Sequence, residues 1–282
     1  MSLTAKAYAK INLYLEVLEK RPDGYHEVET VMQSVDLFDE VTAELTDGEI
    51  SVICDKEELS GEENIVHKAC RYFFDFCGKN LGASVFIKKN IPVAAGLGGG
   101  SADAAATILL LNKLTNANYT VNELLPLALR LGADVPFCLI GGTALGEGIG
   151  EVLTPLESKT FYFVLLKEAE KQSTGVMYQI LDGETFKSDC DINELIKGLR
   201  EGEKALINEN IFNSFEFCWD FEEISKPFTP FAPDKVFLSG SGPTVCALFY
   251  DSTDALACAE KLRNDGFNAY FVKSMPEGIS FE

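Results

Sequence analysis

The residues with the clearest chemical potential form one glycine-rich segment, PVAAGLGGGSADAAA at 92–106. Its glycines lack Cβ atoms, so the backbone can turn sharply and approach a ligand closely. Residues 101–114 contain strong helix formers without an internal Gly or Pro, which predicts a helix. A glycine loop that opens onto a helix N-terminus offers free N–H groups to an anion, so the segment predicts a phosphate-binding loop. A flexible linker or a tight strand-to-helix turn is the alternative.

Two charged residues could supply acid–base and charge-stabilising chemistry. Asp134 follows a predicted helix and lies among apolar residues, where partial desolvation would bring its pKa toward the range of a general base. A helix-capping Asp is an equal alternative at this point. Lys10 interrupts an apolar strand pattern, and alternation predicts Lys10, Asn12 and Tyr14 on one face. The ammonium could neutralise charge on transferring phosphoryl oxygens, whereas a solvent-facing edge lysine is the alternative.

Two further loops could contact a ligand. Tyr25 and His26 end a Pro-Asp-Gly turn, where an exposed aromatic ring and an imidazole could stack on or hydrogen-bond to a base. A structural role is the more frequent one for such a pair. The segment SGSGP at 239–243 is a second glycine turn that could approach a ligand, with a hairpin turn as its alternative. It lacks the G-x-S-x-G frame of a serine nucleophile.

Composition excludes several classes of function. With 24 Lys and Arg against 44 Asp and Glu, the chain of 282 residues has a formal net charge of −20, which disfavours nucleic acid and anionic membranes as partners. No signal peptide and no apolar run of membrane-spanning length is visible, so we expect a cytoplasmic protein. The eight cysteines lack C-x-x-C pairs and predict reduced core thiols. Only two histidines are present, which argues against a histidine-built metal centre.

The order of elements predicts an α+β protein in two domains, 1–157 and 158–282. Alternation predicts separate strands over Glu27–Leu37 and Glu40–Leu45. The order of predicted elements changes around residues 155–159. An all-apolar strand follows this segment, and helices alternate with strands from there to the end of the sequence. We expect a ligand-binding cleft between the two domains.

Together these motifs resemble the GHMP kinases, whose three motifs are matched in order by AKINLYL, GLGGGSADAA and LSGSGPTV. The stretches RPDGYHE and LGADVPF narrow the resemblance to one branch, which spans essentially the whole chain. The resemblance implies a two-domain GHMP kinase fold, with a ribosomal protein S5 domain 2-like N-terminal domain and a ferredoxin-like C-terminal domain. It also implies transfer of the ATP γ-phosphoryl group to the 2-hydroxyl of a cytidine diphosphate derivative of methylerythritol.

The resemblance implies roles for individual residues, with ATP and Mg²⁺ as cofactors. The implied catalytic residues are Asp134 as base and Lys10 as its partner. The implied substrate-binding residues are Asn12, Tyr25, His26, Thr174 and Tyr178. The implied ATP-binding residues are Asn64, Lys89, Pro92, Gly96, Leu97, Gly98, Gly99, Gly100 and Ser101. Ser101 is also a possible ligand of the metal. The family usually has a proline-containing approach to the segment that holds Thr174, and here KEAEKQ at 167–172 stands in its place.

Two other functions stay open at this stage. A homoserine- or mevalonate-type kinase of the same family would need no cytosine pocket, and Tyr25 and His26 argue against it. A nucleotide-binding protein that kept the fold and lost catalysis would need neither Lys10 nor Asp134. The sequence does not define the oligomeric state.

Overall fold

The computed structural model describes residues 1–169, 173–182 and 188–282. Residues 170–172 of the KEAEKQ segment therefore lie outside the described residues. The strands are β1 Ser2–Lys20, β2 His26–Thr46, β3 Ile50–Cys54, β4 Gly82–Lys88, β5 Thr143–Glu147, β6 Val152–Leu156, β7 Tyr162–Leu166, β8 Phe212–Asn213, β9 Lys235–Leu238, β10 Val245–Phe249, β11 Ala269–Lys273 and β12 Ile279–Phe281. The helices are α1 Ile65–Cys77, α2 Gly99–Leu114, α3 Val121–Leu129, α4 Asp134–Ile140, α5 Thr174–Leu181, α6 Ile192–Glu201, α7 Lys204–Asn210, α8 Phe221–Ser225 and α9 Ser252–Asn264.

Two sheets organise the described residues. The larger sheet runs β12–β1–β2–β4–β3, with β5 also paired to β2, β6 paired to β5, and β8 paired in parallel to β1. The smaller sheet runs β11–β7–β10–β9 and is antiparallel throughout. The chain is thus a mixed α/β protein, and β1 lies in the interior of the larger sheet rather than at its edge.

Helix α2 is the central helix of the N-terminal half. It lies in the apolar cluster shared with α1, α3 and α4 against the larger sheet, and its Ala-rich sequence allows this close packing because alanine side chains are small. Predicted for residues 101–114, it begins two residues earlier, at Gly99. Its N-cap residue, Gly98, has a positive φ of 70°, a conformation that glycine adopts without strain.

The two predicted strands over Glu27–Leu37 and Glu40–Leu45 are one continuous strand, β2. A bulge interrupts its pairing with β1, because Ala9 pairs with Val35 while Tyr8 pairs with Phe38. The polar residue in this bulge, Asp36, accepts a hydrogen bond from the backbone N–H of Lys273 in β11. The sequence break therefore marks a bulge that joins the two sheets, not a turn.

The predicted boundary after residue 157 falls between β6 and β7 and stays a prediction. Strands β8 and β12, from the second half of the chain, complete the larger sheet beside β1. All eight cysteines are free, and five of them are buried, as expected for core thiols. Among the described residues, none of the helices combines the length and apolar character needed to cross a bilayer.

Candidate active site

A cavity of about 650 Å³ lies where β1, the N-terminus of α2, α4 and α5 meet. It is lined by fourteen of the sixteen residues that the sequence singles out for catalysis and binding: Lys10, Asn12, Asn64, Lys89, Pro92, Gly96, Leu97, Gly98, Gly99, Gly100, Ser101, Asp134, Thr174 and Tyr178. The structure thus brings together residues that are up to 168 positions apart in the chain. The two that do not line the cavity are Tyr25 and His26.

Lys10 and Asn12 form the polar floor of this cavity. Lys10 Nζ donates to Asn12 Oδ1 at 2.9 Å, and Asn12 Nδ2 donates to Thr30 Oγ1 at 2.8 Å. Because Thr30 in turn donates to the Tyr14 carbonyl, the amide orientation of Asn12 is fixed by its neighbours. This network holds a buried cation in one place.

The polar face that was predicted for Lys10, Asn12 and Tyr14 contains only Lys10 and Asn12. A register shift between Asn12 and Tyr14 turns Tyr14 into the apolar cluster on the other side of β1, where its ring contacts Phe212. The prediction that Tyr14 joins the polar face is therefore wrong. A β-bulge adds one residue and reverses the alternation of faces, which sequence periodicity does not show.

Lys10 faces Asp134 across the cavity, with Nζ 3.4 Å from Asp134 Oδ2. Asp134 is the first residue of α4, and no side chain caps that helix. The capping alternative is thus not the observed arrangement. The Asp134 side chain is 42% exposed, so it is partly buried, and it lines the cavity. Its apolar neighbours Val135 and Phe137 are buried in the protein instead.

The glycine loop lies directly over Lys10. The Lys10 backbone N–H donates to the Leu97 carbonyl at 3.0 Å, and a Cβ atom at Gly98 would lie 2.9 Å from Lys10 Cγ. The backbone N–H groups of the first turn of α2 have no partner within the helix. A phosphate held there would lie beside a fixed ammonium group and at the positive end of the helix dipole.

The second glycine turn, 239–243, contacts the first. Gly240 N–H donates to Asn12 Oδ1 at 3.1 Å, and Ser239 Oγ donates to the Gly96 carbonyl at 3.1 Å. A Cβ atom at Gly96 would lie 2.3 Å from the Ser239 carbonyl oxygen. Gly240 and Ser241 line the cavity, so this turn is part of the site and not only a connection between strands.

Lys89 lies below the glycine loop between two buried carboxylates. Its Nζ donates to Asp39 and to Asp103, the latter at 2.7 Å, and a Cβ atom at Gly99 would lie 3.2 Å from it. Burial by itself would lower the pKa of Lys89. The negative charges of Asp103 and Asp39 raise it by a larger amount, so the pKa lies above its usual value. Desolvation raises the pKa of Asp103, the Lys89 ammonium opposes this shift, and the negative charge of Asp39 adds to it. The cluster supports the loop from below.

Asn64 has a structural role at the far end of the cavity. Its Oδ1 accepts from Val66 N–H and caps α1, and its Nδ2 donates to the Leu59 carbonyl. Contact with adenosine stays a prediction for Asn64. The carboxylate-bearing Glu58 and Glu63 line the same end.

The opposite end of the cavity is aromatic. Thr174 and Tyr178 project into it from α5, and burial raises the pKa of Tyr178 to about 12. Tyr178 stacks on the His26 ring, with centroids 4.9 Å apart and planes at 19°. His26 was expected on an exposed loop, but it is buried at the start of β2, and of the pair only Tyr25 is exposed, at 60%.

Sequence reasoning missed several residues that the structure brings to the site. Thr30 orients Asn12, and Asp103 holds Lys89. The sequence contained a signal for Asp103. It is the single acidic residue in the Ala-rich start of a predicted buried helix, and a buried Asp almost always has a partner. No local signal existed for Phe215, which lines the cavity and packs edge-on against Tyr178.

The comparison with protein families matches the central segment of the chain. Residues 64–142, which include the glycine loop and Asp134, match the family described as GHMP kinases N terminal domain. A homoserine kinase from Cytophaga hutchinsonii has the same fold, with a TM-score of 0.77 over 100% of this chain and 97% of that chain at 19% identity. The chain thus has the fold and the glycine loop of the GHMP kinases.

Closer relatives define the branch. The chain is 37% identical over 277 residues to the 4-diphosphocytidyl-2-C-methyl-D-erythritol kinase of Clostridium beijerinckii, covering 96% of this chain and 99% of the relative. It is 43% identical over 257 residues to the enzyme of that name from Caldanaerobacter subterraneus subsp. tengcongensis, covering 89% of each. A crystal structure of a 4-(cytidine 5'-diphospho)-2C-methyl-D-erythritol kinase has a TM-score of 0.82 at 31% identity, covering 96% of this chain and 98% of that one. The chain belongs to the 4-diphosphocytidyl-2-C-methyl-D-erythritol kinase family.

Proposed function

We propose that this protein transfers the γ-phosphoryl group of ATP to the 2-hydroxyl of 4-diphosphocytidyl-2-C-methyl-D-erythritol. The observation that carries the proposal is the Lys10–Asp134 pair, which lies in one cavity with the N-terminus of α2. The names of the relatives supply the substrate, and the geometry supplies a route for the reaction.

Asp134 is the proposed base. A tertiary hydroxyl is a poor nucleophile, so its proton must go to an acceptor as the O–P bond forms and the bond to ADP breaks. The exposed carboxylate of Asp134 can reach a substrate in the cavity, whereas Asp103 and Asp39 are occupied by Lys89. Asp134 takes the hydroxyl proton as the O–P bond to the same oxygen forms and ADP leaves.

Lys10 is the proposed charge stabiliser. An ammonium group has three N–H donors, and Asn12 Oδ1 accepts one of them while Asp134 lies 3.4 Å away. A remaining donor can bond to an oxygen of the transferring group, where negative charge must be stabilised. Because Lys10 is already fixed, it needs no reorganisation during the reaction.

The glycine loop and the first turn of α2 hold the triphosphate. Mg²⁺ takes oxygen ligands and usually keeps several from phosphate and water. The Ser101 hydroxyl fits as one protein ligand, because it lines the cavity and makes no hydrogen bond within the described ranges. A bound Mg²⁺ would neutralise phosphate charge, in a protein whose net charge is −20.

A substrate panel tests the proposal. Purified protein, ATP and magnesium are combined separately with the cytidylylated methylerythritol, with homoserine and with mevalonate, and ADP release is followed. We expect turnover only with the cytidine substrate, and phosphorus NMR should place the new phosphate on the 2-hydroxyl. Turnover only on a control would assign a sibling activity. ATP binding without turnover on any of the three would indicate a non-catalytic nucleotide-binding protein.

A further inference from the structure

Asn213 connects the two sheets behind the wall of the cavity. It lies in β8, where it pairs with Leu15 of β1, and it is completely buried. The Nδ2 group uses both of its hydrogens, because it donates to the Leu238 carbonyl at 2.8 Å and to the Gly240 carbonyl at 2.9 Å. Oδ1 accepts from Phe215 N–H at 2.9 Å. The side chain therefore fixes the end of β9 and the second glycine turn to the larger sheet.

Gly240 lies between two asparagine side chains. It has no side chain of its own, so contacts of its backbone determine its position. Its carbonyl accepts from Asn213 Nδ2, and its N–H donates to Asn12 Oδ1 at 3.1 Å. A Cβ atom at Gly240 would lie 2.9 Å from the Gly96 carbonyl oxygen, so the turn also packs closely against the first glycine loop. Gly240 thus links the position of Asn213 to that of Asn12.

Asn12 extends this link to Lys10. Its Oδ1 accepts from both Gly240 N–H and Lys10 Nζ, at 3.1 Å and 2.9 Å. If Gly240 moves away, Oδ1 loses one of its two donors, and the amide that holds the ammonium group is less constrained. The stabilisation of charge in a transition state depends on such preset positions, and small displacements reduce the rate strongly. The Lys10 ammonium lies 3.4 Å from Asp134 Oδ2, where a displacement would affect the proposed reaction directly.

We infer that Asn213 is a positioning residue that holds the Lys10 ammonium in place through the second glycine turn. The inference rests on the proposed function, which gives Lys10 its role in charge stabilisation. Asn213 is not among the described residues that line the cavity, so its effect on the reaction is indirect. A purely structural role would instead lower the stability of the protein and leave the chemistry of the folded molecules unchanged.

Two variants remove the Nδ2 donors in different ways. Asn213→Asp keeps the shape of the side chain and the acceptor for Phe215 N–H, whereas Asn213→Ala introduces no charge. With ATP, magnesium and the cytidylylated methylerythritol, we expect kcat to fall about tenfold in each variant, with KM for ATP within about twofold of wild type. Asn210→Ala is the matched control, because Asn210 is a buried asparagine of α7 that bonds to the Leu206 carbonyl and to Asp191 N–H, and it should keep wild-type kcat.

A double-mutant cycle separates positioning from support of the fold. In Lys10→Met the ammonium group is gone, so adding Asn213→Ala should lower kcat by less than about twofold further. A loss of about tenfold in both backgrounds would show that Asn213 acts independently of Lys10 and would overturn the inference. Wild-type kcat in Asn213→Ala would overturn it too, as would loss of folding in both Asn213 variants while Asn210→Ala folds.

Tryptophan fluorescence tests the position of the turn without activity. Trp219 is the single tryptophan of the chain, and its Nε1 donates to the Ser241 carbonyl, next to Gly240, at 3.4 Å. We expect the emission maximum to shift in Asn213→Ala and to keep its wild-type position in Asn210→Ala. Unchanged emission in Asn213→Ala would overturn the inference. Absence of wild-type turnover on the cytidine substrate would overturn the proposed function instead, and the fluorescence comparison would still measure the position of the turn.

Discussion

Lys10 and Asp134 face each other at 3.4 Å with very different access to solvent. The Lys10 side chain is 6% exposed and the Asp134 side chain 42%. The cation is held by Asn12 and covered by the backbone of the glycine loop, whereas the carboxylate opens into the cavity. A fixed cation beside an accessible carboxylate is the arrangement that the proposed phosphoryl transfer to a hydroxyl uses.

Lys10→Met should reduce kcat by about a hundredfold or more, because it removes the charge while keeping a side chain of similar length. Steady-state ADP release with the cytidine substrate measures the effect. Lys6→Met is the matched control on the same strand, since Lys6 lies outside the cavity, contacts Glu282 and the Phe38 ring, and should keep wild-type kcat. Equal activity of the two variants would contradict the role of Lys10.

Gly96→Ala should lower the free energy of unfolding by about 3 kcal/mol or more, because a Cβ atom would strike the Ser239 carbonyl and the residue has φ of 81°. Urea unfolding measures the change. Gly24 has a similar φ of 90° but open space around it. Gly24→Ala should therefore lower the free energy of unfolding only by the cost of placing alanine at a positive φ, about 1 kcal/mol. Equal losses in the two variants would show that contact between the glycine turns contributes nothing.

Glu216→Gln should flatten the dependence of stability on pH. Burial raises the pKa of Glu216 from 4.5 to about 7 in the folded protein, while its Oε1 accepts from Leu238 N–H. The folded state therefore binds the proton more tightly than the unfolded state, and the stability it contributes below pH 4.5 is lost as the pH rises through 7.

The measurement is the free energy of unfolding of wild type and Glu216→Gln at several pH values. The wild type should lose stability relative to the variant between pH 4.5 and 7. Glu223→Gln is the control, because Glu223 lies at the surface of α8 and its loss should leave the wild-type profile in place. Parallel curves for wild type and Glu216→Gln would contradict the prediction.

The sequence predicted the local parts of the site better than their relations. The glycine loop and α2 follow from residue types over a short window, and the loop lines the cavity as predicted. Contacts between distant segments were not visible in the sequence. Examples are the hydrogen bond from Gly240 N–H to Asn12 and the packing of Phe215 against Tyr178. Both depend on the tertiary pairing of β8 with β1.

Two errors have the same physical origin. The break predicted near residue 38 and the shared face predicted for Tyr14 both assumed uninterrupted alternation along a strand. Bulges at Tyr8/Ala9 and Asn12/Tyr14 add residues that hydrophobic periodicity does not show. The direction of the Asp134 side chain was not visible in the sequence either, because its apolar neighbours pack into the core while its own side chain lines the cavity.

The most direct test of the central claim is the turnover of Asp134→Asn with ATP, magnesium and the cytidylylated methylerythritol. The variant keeps size and polarity but cannot accept the hydroxyl proton, so kcat should fall on the order of a thousandfold. ATP binding, measured by calorimetry on the same preparation, should stay within about threefold of wild type, because the phosphate loop is intact. A variant with near-wild-type kcat would contradict Asp134 as the base and, with it, the proposed reaction geometry.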